Sequence, residues 1–270
     1  MTSRSSTMEQ GVFDAAVAQA MNAGRPDLYR NIHKALRLCM NQTLAQVGCT
    51  DPSDHRDVAA ALAATREMLD LFALHLEDEN RFVHPALSAC RPGSADRTAS
   101  DHAGHEQAIA ALRDLTVALE VAHSPERAAA AARLYQRMAL FVEENLEHMH
   151  FEETHNMGVL WAACTDDEIR AIEHAIVAFI PPDMMMKFLH WMLPALPHPD
   201  RVGMLAGMRD GAPPAAFEAT VALARTRLDA RDWGKLAGAL GLSQDAAVAA
   251  WAARPRAGHL SPPGPGATAA

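Results

Sequence analysis

The stretches His75-Leu76-Glu77-Asp78-Glu79 and His148-Met149-His150-Phe151-Glu152 decide how this chain is read. Each sets an imidazole four residues ahead of a carboxylate. Four residues turn ~400° around an α-helix, so both side chains leave one face, one turn apart. Such a pair is half of a site for iron, zinc or manganese. One HxxxE arises readily by chance in an acidic chain that carries 14 histidines. Two of them, on helices packed in one bundle, carry much more weight. A carboxylate beside each histidine can also bridge two metals, which explains the need for a pair.

Working outward, ten of the 14 histidines fall between His33 and His155, so the search for further ligands belongs in that half of the chain. His33, in IHKALR, and His102 with His105, in DHAGHE, lie on the two other helices expected there. His102 and His105 are three residues apart, a turn of ~300°, and helix phase alone does not separate them. His155 returns to the ligand face beyond Glu152, whereas His150, two residues (~200°) from His148, should face outward. His84, beside Pro85 at an expected helix end, reads as a capping or solvent-exposed residue. Met40, Phe72 and Phe141 share the helical faces of the candidate ligands and should line the site, while Tyr29 and Glu144 each stand one turn ahead of a candidate histidine.

Hydrophobic residues make up 49% of 270, enough for a large core, and the wealth of alanine without β-branched runs favours helices over sheets. The expected fold is all-α: an up-down-up-down four-helix bundle followed by a smaller helical C-terminal extension. Helices are predicted at about 26–47, 53–81 (ending near His84-Pro85), 95–122 and from Ser124-Pro125-Glu126, as cap and first turn, to about 155. After Trp161 a capping box, Thr165-Asp166-Asp167-Glu168, opens shorter helices at about 166–180, 183–193, 199–209, 214–229, 231–240 and 244–253, punctuated by prolines. The expected organisation is a peripheral segment (1–25), the bundle (26–160), a helical C-terminal region (161–255) and a disordered tail (256–270).

The formal charge of −9 leaves no basic stripe for nucleic acid, and no Gly-rich phosphate loop is present. Neither a signal peptide nor ~18 uninterrupted apolar residues can be found, so the expectation is a cytoplasmic protein without a membrane span. Cys39, Cys49, Cys90 and Cys164 are scattered and read as reduced thiols. The apolar run Met184-Met185-Met186 with Phe188, Leu189, Trp191 and Met192 reads as a packing surface, because consecutive methionines diverge on a helix and cannot all bind a soft metal. It should cover the bundle or meet a partner chain.

The order His33, His75xxxGlu79, His102, His148xxxGlu152, with HLEDENRFVHPAL and DHAGHEQAIAAL around it, resembles the hemerythrin-like (HHE cation-binding) superfamily over roughly residues 26–160. The resemblance implies a four-helix bundle with two non-haem irons per chain. His33, His75, His102 and His148 would be terminal ligands, with Glu79 and Glu152 bridging. His105, Glu106 and His155 are weaker candidates. Oxygen-carrying members have a second histidine four residues along the third helix and a His–Asp pair on the fourth. Here Glu106 follows His102 at that spacing and Glu152 follows His148. The resemblance therefore points to the broader branch linked with iron or oxygen sensing, nitric-oxide response and iron-centre repair. Three functions follow as expectations: binding or sensing of O2, NO, peroxide or iron status; a di-iron oxidoreductase reducing peroxide or NO; or a scaffold with a structural metal. The C-terminal helices would serve a protein partner or self-association. Ligand type alone leaves zinc and manganese open.

Overall fold

The structure, a computed structural model, describes residues 24–123 and 125–242, and among these every regular element is a helix. The expected N-cap Ser124, the helix at 244–253, the N-terminal segment up to residue 23 and the C-terminal tail lie outside the described residues. The described residues fall into two compact units that divide after Leu196.

In the first unit, α1 (Arg30–Gly48) packs against α2 (His55–Asp78) and α5 (Arg127–Phe151), and α4 (Asp96–Val121) packs against α2 and α5, closing a ring of four. Side chains just ahead of the first two helices satisfy their leading N–H groups, and Pro52, expected in a first turn, falls before the helix instead. Asp27 accepts the backbone N–H groups of Tyr29 and Arg30 at 3.0 and 2.9 Å, so α1 starts just after Pro26-Asp27. Asp54 caps α2 through the Arg56 N–H at 2.7 Å, which puts Pro52 in the preceding turn.

The expected stop at His84-Pro85 is corrected by the structure. After Asp78 the chain makes a wider π-helical turn, π1 (Glu79–Val83), and resumes as α3 (His84–Cys90). The His84 N–H bonds the Glu79 carbonyl, five residues back. This resets the hydrogen-bond register, so Pro85 falls in the first turn of a new segment, where its missing N–H costs little. The fourth bundle helix repeats the device without a proline. There α5 passes into π2 (Glu152–Asn156) and then α6 (Met157–Ala163), with the Met157 N–H on the Glu152 carbonyl.

Two apolar clusters result. One holds Leu36, Met40, Phe72, Leu76, Ile109, Leu112, Phe141 and Met149, the other Tyr29, Val83, Leu87, Ala95, Met157, Leu160 and Trp161. Each ring helix, taken with its extension, contributes to both clusters. His33, Glu79, His102 and Glu152 sit in the chain between the two contributions. A polar layer is therefore enclosed by apolar residues on both sides.

Two further helices complete this unit. The expected capping box is present at the start of α7 (Asp166–Phe179), and the Phe179 ring lies 5.6 Å from Phe82 of π1. Phe188 of α8 (Pro182–Ala195) joins the core of the ring, with Met184, Trp191 and Met192 packed against it. The methionine-rich run thus covers the bundle. The second unit contains α9 (His198–Gly211), α10 (Pro214–Arg227) and α11 (Ala230–Leu240), where α9 packs against both others. Leu205, Ala224, Trp233, Leu236 and Leu240 are buried in it, and Arg201 bonds Asp232 at 2.7 Å.

Phe72 and Phe141 are fully buried with ring centroids 5.2 Å apart. Phe72→Ala should lower the unfolding free energy by about 3–5 kcal/mol in urea titration, through lost burial and a residual cavity. Val117→Ala, at a side chain 54% exposed, should change it by no more than about 0.5 kcal/mol. Equal effects would contradict this assignment of the core.

Candidate metal centre

His33, His75, Glu79 and Glu152 form one group whose ligand atoms lie within 4.8 Å of one another, and Glu79, His102, His148 and Glu152 form a second. All six side chains are buried, and both glutamates belong to both groups. Glu79 Oε1 is 3.4 Å from His75 Nε2 and 3.8 Å from His33 Nε2, while its Oε2 is 3.3 Å from His102 Nε2. Glu152 Oε1 is 3.2 Å from His148 Nε2 and 3.7 Å from His102 Nε2, and its Oε2 is 3.5 Å from His33 Nε2. His102 Nε2 and His148 Nε2 are 3.1 Å apart. Two ligand atoms that bind one ion at ~2.1 Å stand about 3.0–3.4 Å from each other, so these spacings suit a cation between them. Both oxygens of Glu79 and of Glu152, together with His33 Nε2, are buried without a well-formed hydrogen bond. Buried carboxylates in that condition call for a positive partner.

Three of the imidazoles are oriented from their far side. His33 Nδ1 donates to Glu153 Oε1 at 3.2 Å, His102 Nδ1 to Asn80 Oδ1 at 2.8 Å, and His148 Nδ1 to Asp101 Oδ2 at 3.3 Å. Arg37 holds Glu153 in turn at 2.5 Å. Placing the proton on Nδ1 leaves each Nε2 lone pair directed at the glutamates, the arrangement a ligating histidine needs. Glu153, Asn80 and Asp101 do not emerge from the sequence reading. Each is the chain neighbour of a candidate ligand, about 100° away on a regular helix. The π turns begin at Glu79 and Glu152, so in each case two successive residues reach the polar layer.

Burial, and for Glu152 the neighbouring Glu79, pushes the two carboxyls up, but the surrounding imidazoles more than offset this and hold both below the usual range. Burial pulls His33 and His102 down, and the carboxylates beside them reverse the shift, raising each to about 9. Burial dominates at His75, which falls to about 4. Burial pulls His148 down as well, and Glu152 and Glu79 again reverse the shift, so without a cation protonated imidazoles balance the two buried carboxylates.

The other expected residues divide. Met40, Phe72 and Phe141 are buried in the core next to this layer. Tyr29 is buried with its ring 5.2 Å from His33, and Asn156 Nδ2 donates to its hydroxyl at 3.5 Å. Burial and the charges of Glu152 and Glu79 hold the phenol protonated. His105 is buried, with its ring 4.7 Å from His148, but stands outside both groups. Glu106 is exposed and His155 stacks on Phe151 at 4.6 Å, and neither belongs to a group. Glu144 contacts Arg137 at 3.3 Å, and His150 faces outward as expected. His84 corrects the sequence reading. It is buried, its ring 4.7 Å from His102, because π1 carries the helix past the expected end and turns this residue inward.

An all-α bundle with His/Glu groups buried at its centre defines a metal-binding helical protein. The family profile described as the hemerythrin HHE cation binding domain matches residues 26–160, half of the chain, and the chain belongs to that family. No curated protein and no solved structure gave a match. No helix among the described residues is long and apolar enough to cross a membrane.

Because His33 and His102 titrate near 9, a metal entering the site at neutral pH must displace their protons. Loading should release protons from these imidazoles, measurable by calorimetry in buffers of different ionisation enthalpy, and affinity should rise with pH until about 9. In the metal-free protein the sign is opposite. Stability from the protonated pair is fully present below ~6.5 and is lost as pH rises through about 9. Uptake without proton release would contradict this charge balance.

Proposed function

We propose that this protein holds two non-haem irons between Glu79 and Glu152 and uses them to bind or sense a small ligand: O2, NO, peroxide or iron itself. The observation that carries the reading is the sharing of both buried glutamates by two separate histidine pairs. One ion would take His33 and His75, the other His102 and His148, with the carboxylates bridging. Imidazole–carboxylate sets also accept zinc and manganese; iron is the metal that the resemblance in ligand order implies. When bound, such a pair supplies reversible coordination of small ligands and one-electron chemistry.

The chain's own residues would govern access and polarity. Tyr29 remains a protonated donor beside His33, while Phe72 and Phe141 keep water from the neighbouring core. Asn80, the hydrogen-bond partner of His102, also lines a surface recess with Glu77, Glu106 and Arg113. The helices from α9 onward supply a separate body for a protein partner or self-association. A di-iron oxidoreductase is the second reading. Carboxylate bridging favours it, and so does a buried phenol next to the site.

Elemental analysis of purified protein tests the proposal. About two irons per chain are expected, with about one retained by His75→Ala or His148→Ala and fewer by Glu79→Ala, which removes a ligand from both positions. Wild-type protein that purifies without iron and cannot be reconstituted would contradict it. Visible spectra that shift on NO addition without turnover favour binding, whereas sustained consumption of peroxide or NO favours the enzyme.

A further inference from the structure

We propose that Cys90 and Cys164 form an oxidisable dithiol whose disulfide bolts together the two helical extensions that follow Glu79 and Glu152. Their sulfurs lie 3.2 Å apart although the residues are 74 positions apart in the chain. Cys90 is the last residue of α3, which continues from π1, and Cys164 directly follows α6, which continues from π2. The two extensions pack against each other, and both cysteines rest on the apolar cluster that contains Leu87 and Leu160. A disulfide needs its sulfurs at about 2.05 Å, so closing the bond requires a movement of about 1.2 Å. Both residues stand at helix ends, and rotation of the two side chains about Cα–Cβ changes the sulfur separation without moving the helices. Both are also partly exposed, within reach of a small reagent, whereas Cys39 is buried in the bundle core.

The chemistry is thiol–disulfide exchange with a small-molecule disulfide such as oxidised glutathione. The Cys90 thiolate attacks one sulfur, the reagent's S–S bond breaks and a glutathione thiolate leaves. Cys164 loses its proton as it attacks the Cys90 sulfur of the mixed disulfide, expelling the second glutathione thiolate. Two protein thiols are oxidised by two electrons and one reagent disulfide is reduced. Burial and the adjacent Cys90 push the Cys164 thiol up, and the exchange balances equally with either cysteine attacking first.

The crosslink constrains the unfolded chain and fixes the turns that begin at the two glutamates. Slower metal loss then follows. That consequence rests on the proposed metal site, whereas the crosslink itself does not. The test uses the full chain as purified, with Cys49→Ser because exposed Cys49 would take up glutathione. After incubation with oxidised glutathione and alkylation, peptide mapping should recover Cys90 linked to Cys164. The thermal midpoint should rise by about 5–10 °C, and metal release to a chelator should slow several-fold, all reversed by a thiol reductant. Cys90→Ser and Cys164→Ser should each abolish all three changes. Recovery of Cys90 and Cys164 as free thiols or as separate glutathione adducts would overturn the dithiol. A crosslink with unchanged metal release would overturn the bolting of the ligand-bearing turns. A crosslink in protein that holds no metal would support the dithiol and count against the metal reading.

Discussion

Two glutamates buried side by side in a helical bundle are the constraint on which the rest of this structure depends. Glu79 and Glu152 contribute four carboxylate oxygens to a buried layer, none with a well-formed hydrogen bond. Desolvated negative charge of that kind is tolerated only when positive charge stands against it. Histidines are suited to the task because they switch between two forms. Protonated, His33 and His102 balance the carboxylates; neutral, the same nitrogen atoms can ligate a cation. The choice of imidazole over lysine or arginine keeps both states available to one fold.

Around that layer the chain follows its charge and its apolar pattern together. The four ring helices place apolar residues on either side of the polar layer, so each segment that carries a buried histidine or glutamate is anchored from both ends. The π turns that begin at Glu79 and Glu152 rotate the following helix, and by doing so they deliver Asn80 to His102 and Glu153 to His33. One local irregularity thus supplies both a shared carboxylate and the partner that orients a histidine on a neighbouring helix. Such turns cost hydrogen-bond quality and recur at functional positions in helices.

How much of this was legible in the sequence depends on the range of the signal. His75, Glu79, His148 and Glu152 could be placed on common faces because four residues make about one helical turn. The cap at Thr165 and the apolar run at 184–192 are equally local, whereas the expected ends of the second and fourth bundle helices fall seven to nine residues short because the π turns carry both onward to Cys90 and Ala163. His84 was misread for an equally local reason, since Pro85 signals a stop unless a wider turn resets the register. Asn80, Asp101 and Glu153 were missed because a neighbour of a ligand points elsewhere on a regular helix. The approach of Cys90 to Cys164 is tertiary, with no periodicity to announce it. His102 and His105 were inseparable by phase; packing brings His102 to both glutamates and sets His105 beside His148.

Whether two cations share Glu79 and Glu152 is tested most directly by anomalous diffraction from crystals of metal-loaded protein. Data collected at the iron, manganese and zinc edges should give two iron peaks per chain, one among His33, His75 and the glutamates, the other among His102, His148 and the same glutamates. A single peak, or metal bound away from these residues, would contradict the central claim.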